Sequence, residues 1–186
     1  MQKEIEMEYK YLIGQEKFKE LLSKCNNMYS FVDRKLQVNY YYDTKNNVLN
    51  KSKTTVRVRQ HHDKMKLQIK RHKTEEGSLA VSNEYSDSIA ILPSAMRISD
   101  ANETVYLKGV LITERTSYSF GNTGTICFDE NMYLGVCDYE IEIEINENEN
   151  KEALLVINHL KLKQKSIRNK SSRFFERLEA MGDIEL

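Results

Sequence analysis

The stretch Glu4-Ile5-Glu6-Met7-Glu8-Tyr9-Lys10 alternates charged and apolar residues without a break. A strand sends successive side chains to opposite faces, so Glu4, Glu6, Glu8 and Lys10 share one face. Ile5, Met7, Tyr9 and Tyr11 share the other. Carboxylates two residues apart on one strand face stand about 7 Å apart and repel. Such a row persists where solvent screens it, where cations on adjacent strands answer it, or where a hard metal ion bridges it. Taken alone, the row fits a solvated edge strand better than a site. The other strands shift that balance.

The same sorting recurs along the chain. Glu140, Glu142 and Glu144 share a face, with Tyr139, Ile141, Ile143 and Ile145 opposite. Arg57 pairs in phase with Arg59, Lys66 with Gln68 and Lys70, and Glu84 with Ala80, Ser82 and Ser86. Lys108 and Arg115 lie in further strand-like segments, while Lys170, Arg173 and Arg177 line one side of a C-terminal helix opposite Phe174, Leu178 and Met181. Outward faces paired across strands, each pair contributing a few tenths of a kcal/mol, would explain the alternation. They would not explain same-sign runs on strand after strand. Inward faces around a water-filled barrel would suit a highly charged anion and its metal. All-oxygen ligand sets of this kind suit Mg²⁺ or Mn²⁺. Patterning alone leaves both arrangements open.

Periodicity predicts strands over residues 31–44, 54–61, 65–71, 79–87, 105–110, 111–120, 125–129 and 137–146 besides the first. It predicts helices over 15–26, 151–160, 166–181 and, briefly, 93–101. Turns fall at Asn46-Asn47, His62-Asp63, Glu75 to Ser78 and Gly121 to Gly124, and 146–151 reads as a loop. About eight strands joined by short turns predict a mainly β (α+β) fold, an antiparallel sheet closed or nearly closed into a barrel with flanking helices. With 186 residues, one proline (Pro93) and no Pro/Gly/Ser-rich linker, a single domain over 1–186 is expected.

Lys+Arg and Asp+Glu number 28 each, which argues against a general polyanion coat and so against nucleic acid as partner. Cys25, Cys127 and Cys137 form neither a disulfide framework nor a metal spacing, and no apolar run spans a membrane, so a cytoplasmic setting is expected. Cys127 reads as a small buried thiol and Tyr40 to Tyr42 as packing. His61, His62, His72 and His159 have no partner spacing and are set aside.

Glu6-x-Glu8-x-Lys10 resembles the N-terminal signature of the CYTH superfamily, named for a class of adenylate cyclase and for thiamine triphosphatase. Its members are also called triphosphate tunnel metalloenzymes. The resemblance continues through Tyr41-Tyr42-Asp43-Thr44, Val56-Arg57-Val58-Arg59, Leu67-Gln68-Ile69-Lys70, Glu114-Arg115, Cys127-Phe128-Asp129, Tyr139 to Glu144 and Lys170-Ser171-Ser172-Arg173-Phe174. It implies an eight-stranded antiparallel tunnel that binds a triphosphate through basic side chains and divalent cations through carboxylates. By position, Glu6, Glu8, Glu142 and Glu144 would hold metal, with Asp129 joining them and Glu140 on the same face. Lys10, Arg57, Arg59, Lys70, Arg115, Lys170 and Arg173 would grip phosphates, with Lys66, Lys108 and Glu84 as further substrate-facing candidates. Val81-Ser82-Asn83-Glu84 lacks the basic residue often found before that glutamate, which bears on substrate choice.

The implied activity is a Mg²⁺- or Mn²⁺-dependent hydrolysis of a small-molecule triphosphate: inorganic triphosphate first, then thiamine or nucleoside triphosphate. The catalytic set would be Glu6, Glu8, Lys10, Arg57, Arg59, Lys70 and Arg115. The alternatives are an adenylate cyclase, which needs an adenine pocket no motif supplies, and a non-catalytic triphosphate or polyphosphate binder. Intact glutamates on both acidic strands speak against the binder. The last helix is expected to pack by its apolar side and turn an exposed Lys170/Arg173 pair to the tunnel mouth, adding little to folding stability.

Overall fold

The computed structural model describes residues 1–98, 103–146, 150–163 and 168–182. The chain runs β1 (Gln2–Ile13), α1 (Gln15–Met28), β2 (Ser30–Asp43), α2 (Val48–Lys51), β3 (Thr54–His61), β4 (Lys64–Glu76) and β5 (Leu79–Ile89). It continues with β6 (Ala95–Arg97), β7 (Thr104–Phe120), β8 (Gly124–Tyr133), β9 (Val136–Ile145), α3 (Asn150–His159) and α4 (Lys170–Gly182). Eight strands follow the order β2-β3-β4-β5-β1-β9-β8-β7, and β7 pairs back onto β2, closing an antiparallel barrel; β6 is an extra strand on β7. Closure leaves no free edge in the eight-strand ring.

The barrel is inverted relative to an ordinary core. Its outer apolar faces are covered by helices: Phe18, Leu21 and Cys25 of α1 and Ala153 and Val156 of α3 pack on Phe128, Ile141 and Ile143. Leu49 of α2, with Leu92, Met96 and Ile98, covers Val56, Val58 and Ile69. Since side chains alternate, burying Ile69 and Ile143 outside sends Lys70, Glu142 and Glu144 inside. One end of the bore is different. There Tyr41, Leu111 and Tyr133, all on the inward phase, pack with Phe174 and Phe175, so α4 closes that end. A Cβ at Gly109 would come within 2.8 Å of the Phe174 ring, so the helix seats this closely only on glycine.

The departures from expectation are local. Residues 93–101 do not begin a helix: Ala95–Arg97 pair with Thr104–Tyr106, since an available strand edge outweighs weak helical propensity, and 99–101 lie outside the described residues. The segments 105–110 and 111–120 are one strand, whose register shift opposite Tyr41/Tyr42 leaves Lys108 as an extra residue in a bulge. α2 was not expected; Asp43 organises it, accepting the backbone N–H groups of Thr44, Leu49 and Asn50 at 2.7–3.0 Å. The last helix starts at Lys170; residues 166–167, and 147–149 of the expected loop, are outside the described set. Among the described residues, no helix is long and apolar enough to cross a membrane.

Candidate functional site

The charged faces of β1, β3, β4 and β9 converge on one narrow cavity inside the barrel, with Arg115 of β7 and Lys170 of α4 completing its wall. Away from α4 it continues into a wider chamber lined by Lys35, Gln37, Arg59, Glu84, Arg115, Thr125 and Glu144. Strand register sets which charges meet. Glu8 lies opposite Glu144 and Lys10 opposite Glu142; Arg115 lies opposite Asp129, which faces Glu140 on its other side.

Towards α4 the charges satisfy one another. Lys170 Nζ lies 2.6 Å from Asp129 and from Glu142 and 3.4 Å from Glu140. Arg115 donates to both Asp129 oxygens (2.7 and 2.6 Å), to Glu144 (2.7 Å) and to Glu142. Arg173 donates to Asp138 (2.9 Å) and Glu140 (2.7 Å), behind the cavity. Burial alone would raise the Asp129 and Glu142 carboxyls, but Arg115 and Lys170 hold both below their ordinary values.

Towards β3 and β1 the balance is incomplete. Arg57 donates to Gln68 Oε1 (2.8 Å) and lies 3.5 Å from Glu84. Gln68 in turn donates to Glu84. Arg59 donates to Asn39 Oδ1 at 2.9 Å, and among the described residues no carboxylate pairs with it. Burial, then Arg57 and Arg115, lower its pKa to about 10. Lys70 Nζ reaches Glu6 (2.5 Å) and Glu8 (2.6 Å), and Lys10 reaches Glu8 (2.9 Å). Burial opposes ionisation of Glu6, yet Lys70 and Lys10 bring it down to about 2. Glu8 is pushed up by burial and by the charge of Glu6. Two carboxylates of this group thus share the Lys70 ammonium.

Glu6, Glu8 and Glu144 present ligand oxygens within 4.8 Å of one another. An all-oxygen set with one destabilised carboxylate fits a hard divalent cation. The six acidic residues expected to act together therefore divide. Asp129, Glu140 and Glu142 are occupied by Arg115, Lys170 and Arg173, because α4 inserts its cations where the sequence pattern showed only a row of acids.

Of the remaining candidates, Glu84 lines the outer chamber. Lys66 shares the Lys70 face but is exposed beside the hairpin. Lys108 is carried aside by its bulge and donates to the Lys45 carbonyl at 3.1 Å. Lys170 and Arg173 are not an exposed pair: their side chains are 11% and 10% accessible, since the helix enters the bore rather than lying at its mouth. Tyr40 and Tyr42 pack outside, whereas Tyr41 faces inward against Phe174 and also lines the cavity. Cys127 is buried as expected.

Sequence reasoning missed His72, Thr55, Asn169 and Ser171, which line the inner cavity. For His72 the signal was present: it continues the Lys66, Gln68, Lys70 alternation, but the strand was expected to stop at Arg71, whereas β4 continues to Glu76.

The CYTH domain family model matches residues 4–175. A candidate adenylate cyclase from Bacillus halodurans is 27% identical, with a TM-score of 0.74 over 94% of this chain and 100% of that one. A candidate adenylyl cyclase from Hippeastrum, described as having a dominant triphosphatase activity, is 23% identical, with a TM-score of 0.73 over 92% and 95%. The RNA triphosphatase domain of a mimivirus mRNA capping enzyme shares the fold at 11% identity, with a TM-score of 0.59 over 86% and 89%. No curated protein sequence matches the chain.

Proposed function

The chain belongs to the CYTH domain family, and from that premise we propose that it is a divalent-metal-dependent hydrolase of triphosphates, acting on inorganic triphosphate. The observation that carries this reading is the half-buried Arg59 guanidinium, which has no ion-paired carboxylate among the described residues and faces the same cavity as Glu6 and Glu144. A partly desolvated cation without an ion-pair partner is costly, and an anionic occupant removes that cost.

Glu6, Glu8 and Glu144 would hold Mg²⁺ or Mn²⁺. Such an ion supplies Lewis-acid neutralisation of phosphoryl oxygens when bound. The chain's own residues do the rest. Arg57 and Arg59 offer N–H forks to non-bridging oxygens, and Lys10 and Lys70 add point charges beside them. Gln68 and Asn39 fix the planes of Arg57 and Arg59, so the forks are oriented before the ligand arrives. With α4 across one end, the triphosphate enters from the outer chamber and reacts in a bore from which bulk water is restricted. Phosphoryl transfer needs little beyond such positioning and charge stabilisation. Among its described lining residues the outer chamber has no aromatic ring on which a base or thiazolium could stack, which favours the inorganic substrate.

The test is release of orthophosphate from inorganic triphosphate, thiamine triphosphate and ATP, each with Mg²⁺, Mn²⁺ or EDTA, with cyclic AMP measured in the ATP reactions. Metal-dependent release, fastest from inorganic triphosphate, is the expected result. Cyclic AMP as the main product from ATP, or tight triphosphate binding without release under any metal, would overturn it.

A further inference from the structure

Hydrogen-bond directions around the start of α4 fix the protonation of a histidine inside the tunnel. Asn169 Oδ1 accepts the backbone N–H of Ser172 (2.8 Å) and the hydroxyl of Ser171 (2.7 Å). The Ser171 proton is thereby used, so Thr55 donates in the 2.6 Å contact between their hydroxyls. Because the backbone N–H can only donate, the orientation of the Asn169 amide is settled. Its nitrogen is the atom 3.1 Å from His72 Nε2. An amide nitrogen donates, so Nε2 accepts, and the single proton of the neutral ring sits on Nδ1. Nδ1–H is buried and has no partner among the described residues.

The ring is also held neutral. A proton on Nε2 would face the Asn169 N–H, and burial, then Lys70 and Lys10, lower the His72 pKa to about 3. Glu6 and Arg57 also act on it, and Lys170 of α4 lines the same cavity. A buried donor with no acceptor bears a desolvation cost that an acceptor in the cavity would remove.

Resting on the reading of the tunnel as a triphosphate site, we propose that His72 is a ligand-binding residue whose Nδ1–H donates to a non-bridging oxygen of the phosphate group seated nearest α4. Lys and Arg around it respond to charge and can reach over a range of positions. A neutral N–H, fixed through Asn169 to the first turn of α4, responds to an acceptor at one position. It thus adds a phosphate seat without adding another cation to a wall already crowded with them.

Two substitutions separate the ligand role from a structural one. His72→Gln can keep an acceptor for Asn169 near Nε2 but removes the donor at Nδ1; His72→Asn keeps an N–H near Nδ1 and drops the Asn169 contact. Affinity for inorganic tripolyphosphate is measured by titration calorimetry in EDTA, so that nothing turns over. His72→Gln is expected to weaken binding by about 10- to 100-fold, the value of a hydrogen bond to a charged group, and His72→Asn by no more than about threefold. Wild-type affinity in His72→Gln, or an equal loss in both variants, would overturn the proposal. Arg59→Met is run alongside. If it loses affinity while His72→Gln does not, the tunnel reading stands and the His72 proposal fails; if the wild-type chain does not bind at all, both fail.

Discussion

The two ends of the tunnel are built from the same kinds of side chain and reach different electrostatic states. At the α4 end, Lys170, Arg173 and Arg115 are each within ion-pairing distance of two or more of Asp129, Asp138, Glu140, Glu142 and Glu144. Towards β3 and β1, Arg59 has only the neutral Asn39, and Glu8 is pushed up by burial and Glu6. A buried network that satisfies itself closes a structure, and a new ion could enter it only by breaking existing pairs. A network with an unpaired cation at one point and two carboxylates sharing one ammonium at another is arranged for an occupant. The difference separates residues that hold the barrel shut from residues that meet a ligand, with Arg115 and Glu144 joined at the boundary, although all of them lie on the inward phase.

The largest effect expected from this contrast is on turnover. Glu8→Gln keeps the shape of a carboxylate but removes its charge from the Glu6, Glu8 and Glu144 set. Metal-dependent phosphate release should fall by at least about 100-fold, since even residues that only support metal ligands typically cost 10- to 100-fold. Tripolyphosphate binding in EDTA should persist. Full metal-dependent activity in Glu8→Gln or Glu6→Gln would remove this row from the site.

The closed end should fail differently. Replacing Lys170 and Arg173 by Met strands Glu140 and leaves Asp129 and Glu142 with Arg115 alone, and breaking a buried pair by removing one partner costs about 3–5 kcal/mol. For a chain of this size, that lowers the melting temperature by about 6–20 °C in the absence of ligand. The sequence pattern had pointed to little change, because the two cations read as exposed. A melting temperature within a degree or two of wild type would return them to the surface role and erase the contrast between the ends.

Arg59→Met probes the open end. It removes a half-buried cation with no ion-paired carboxylate among the described residues, so the ligand-free melting temperature should hold or rise. Tripolyphosphate affinity should fall by about 1.5–3 kcal/mol, the contribution of a charge-assisted hydrogen bond. A loss of stability like that of the Lys170/Arg173 variant would mean that both ends are structural.

The alternation of Glu4 to Lys10, Arg57 to Arg59 and Glu140 to Glu144 made the barrel and its lining legible, because a two-residue period determines faces wherever a strand forms. It carries no information on what stands across the bore. That Asp129 and Glu142 would be taken by Lys170, while Glu6 and Glu8 would not, depends on how far α4 enters, which is set by Phe174 seating on Gly109. His72 and Lys108 were misread for complementary reasons: a strand that ran on past its expected end brought one in, and a one-residue bulge took the other out.

Lys66 and Lys108 yield the smallest effect and the finest division of the wall. Lys66 and Lys70 share a strand face, four residues apart, and Lys66 lies opposite Arg59 in register. Yet Lys66 is exposed beside the His62-Asp63 hairpin, and Lys108 donates to the Lys45 carbonyl away from the cavity. Exposed charges are screened within about 8 Å at physiological salt and add little to a bound state they do not touch. Lys66→Ala and Lys108→Ala should each change tripolyphosphate affinity by less than about fivefold, with the remaining difference shrinking as salt is raised. Titrations at two salt concentrations measure this directly. A salt-resistant loss in Lys66→Ala equal to that of Arg59→Met would extend the ligand's path to the β3–β4 hairpin, and inward phase alone would then decide which cations on this strand meet it.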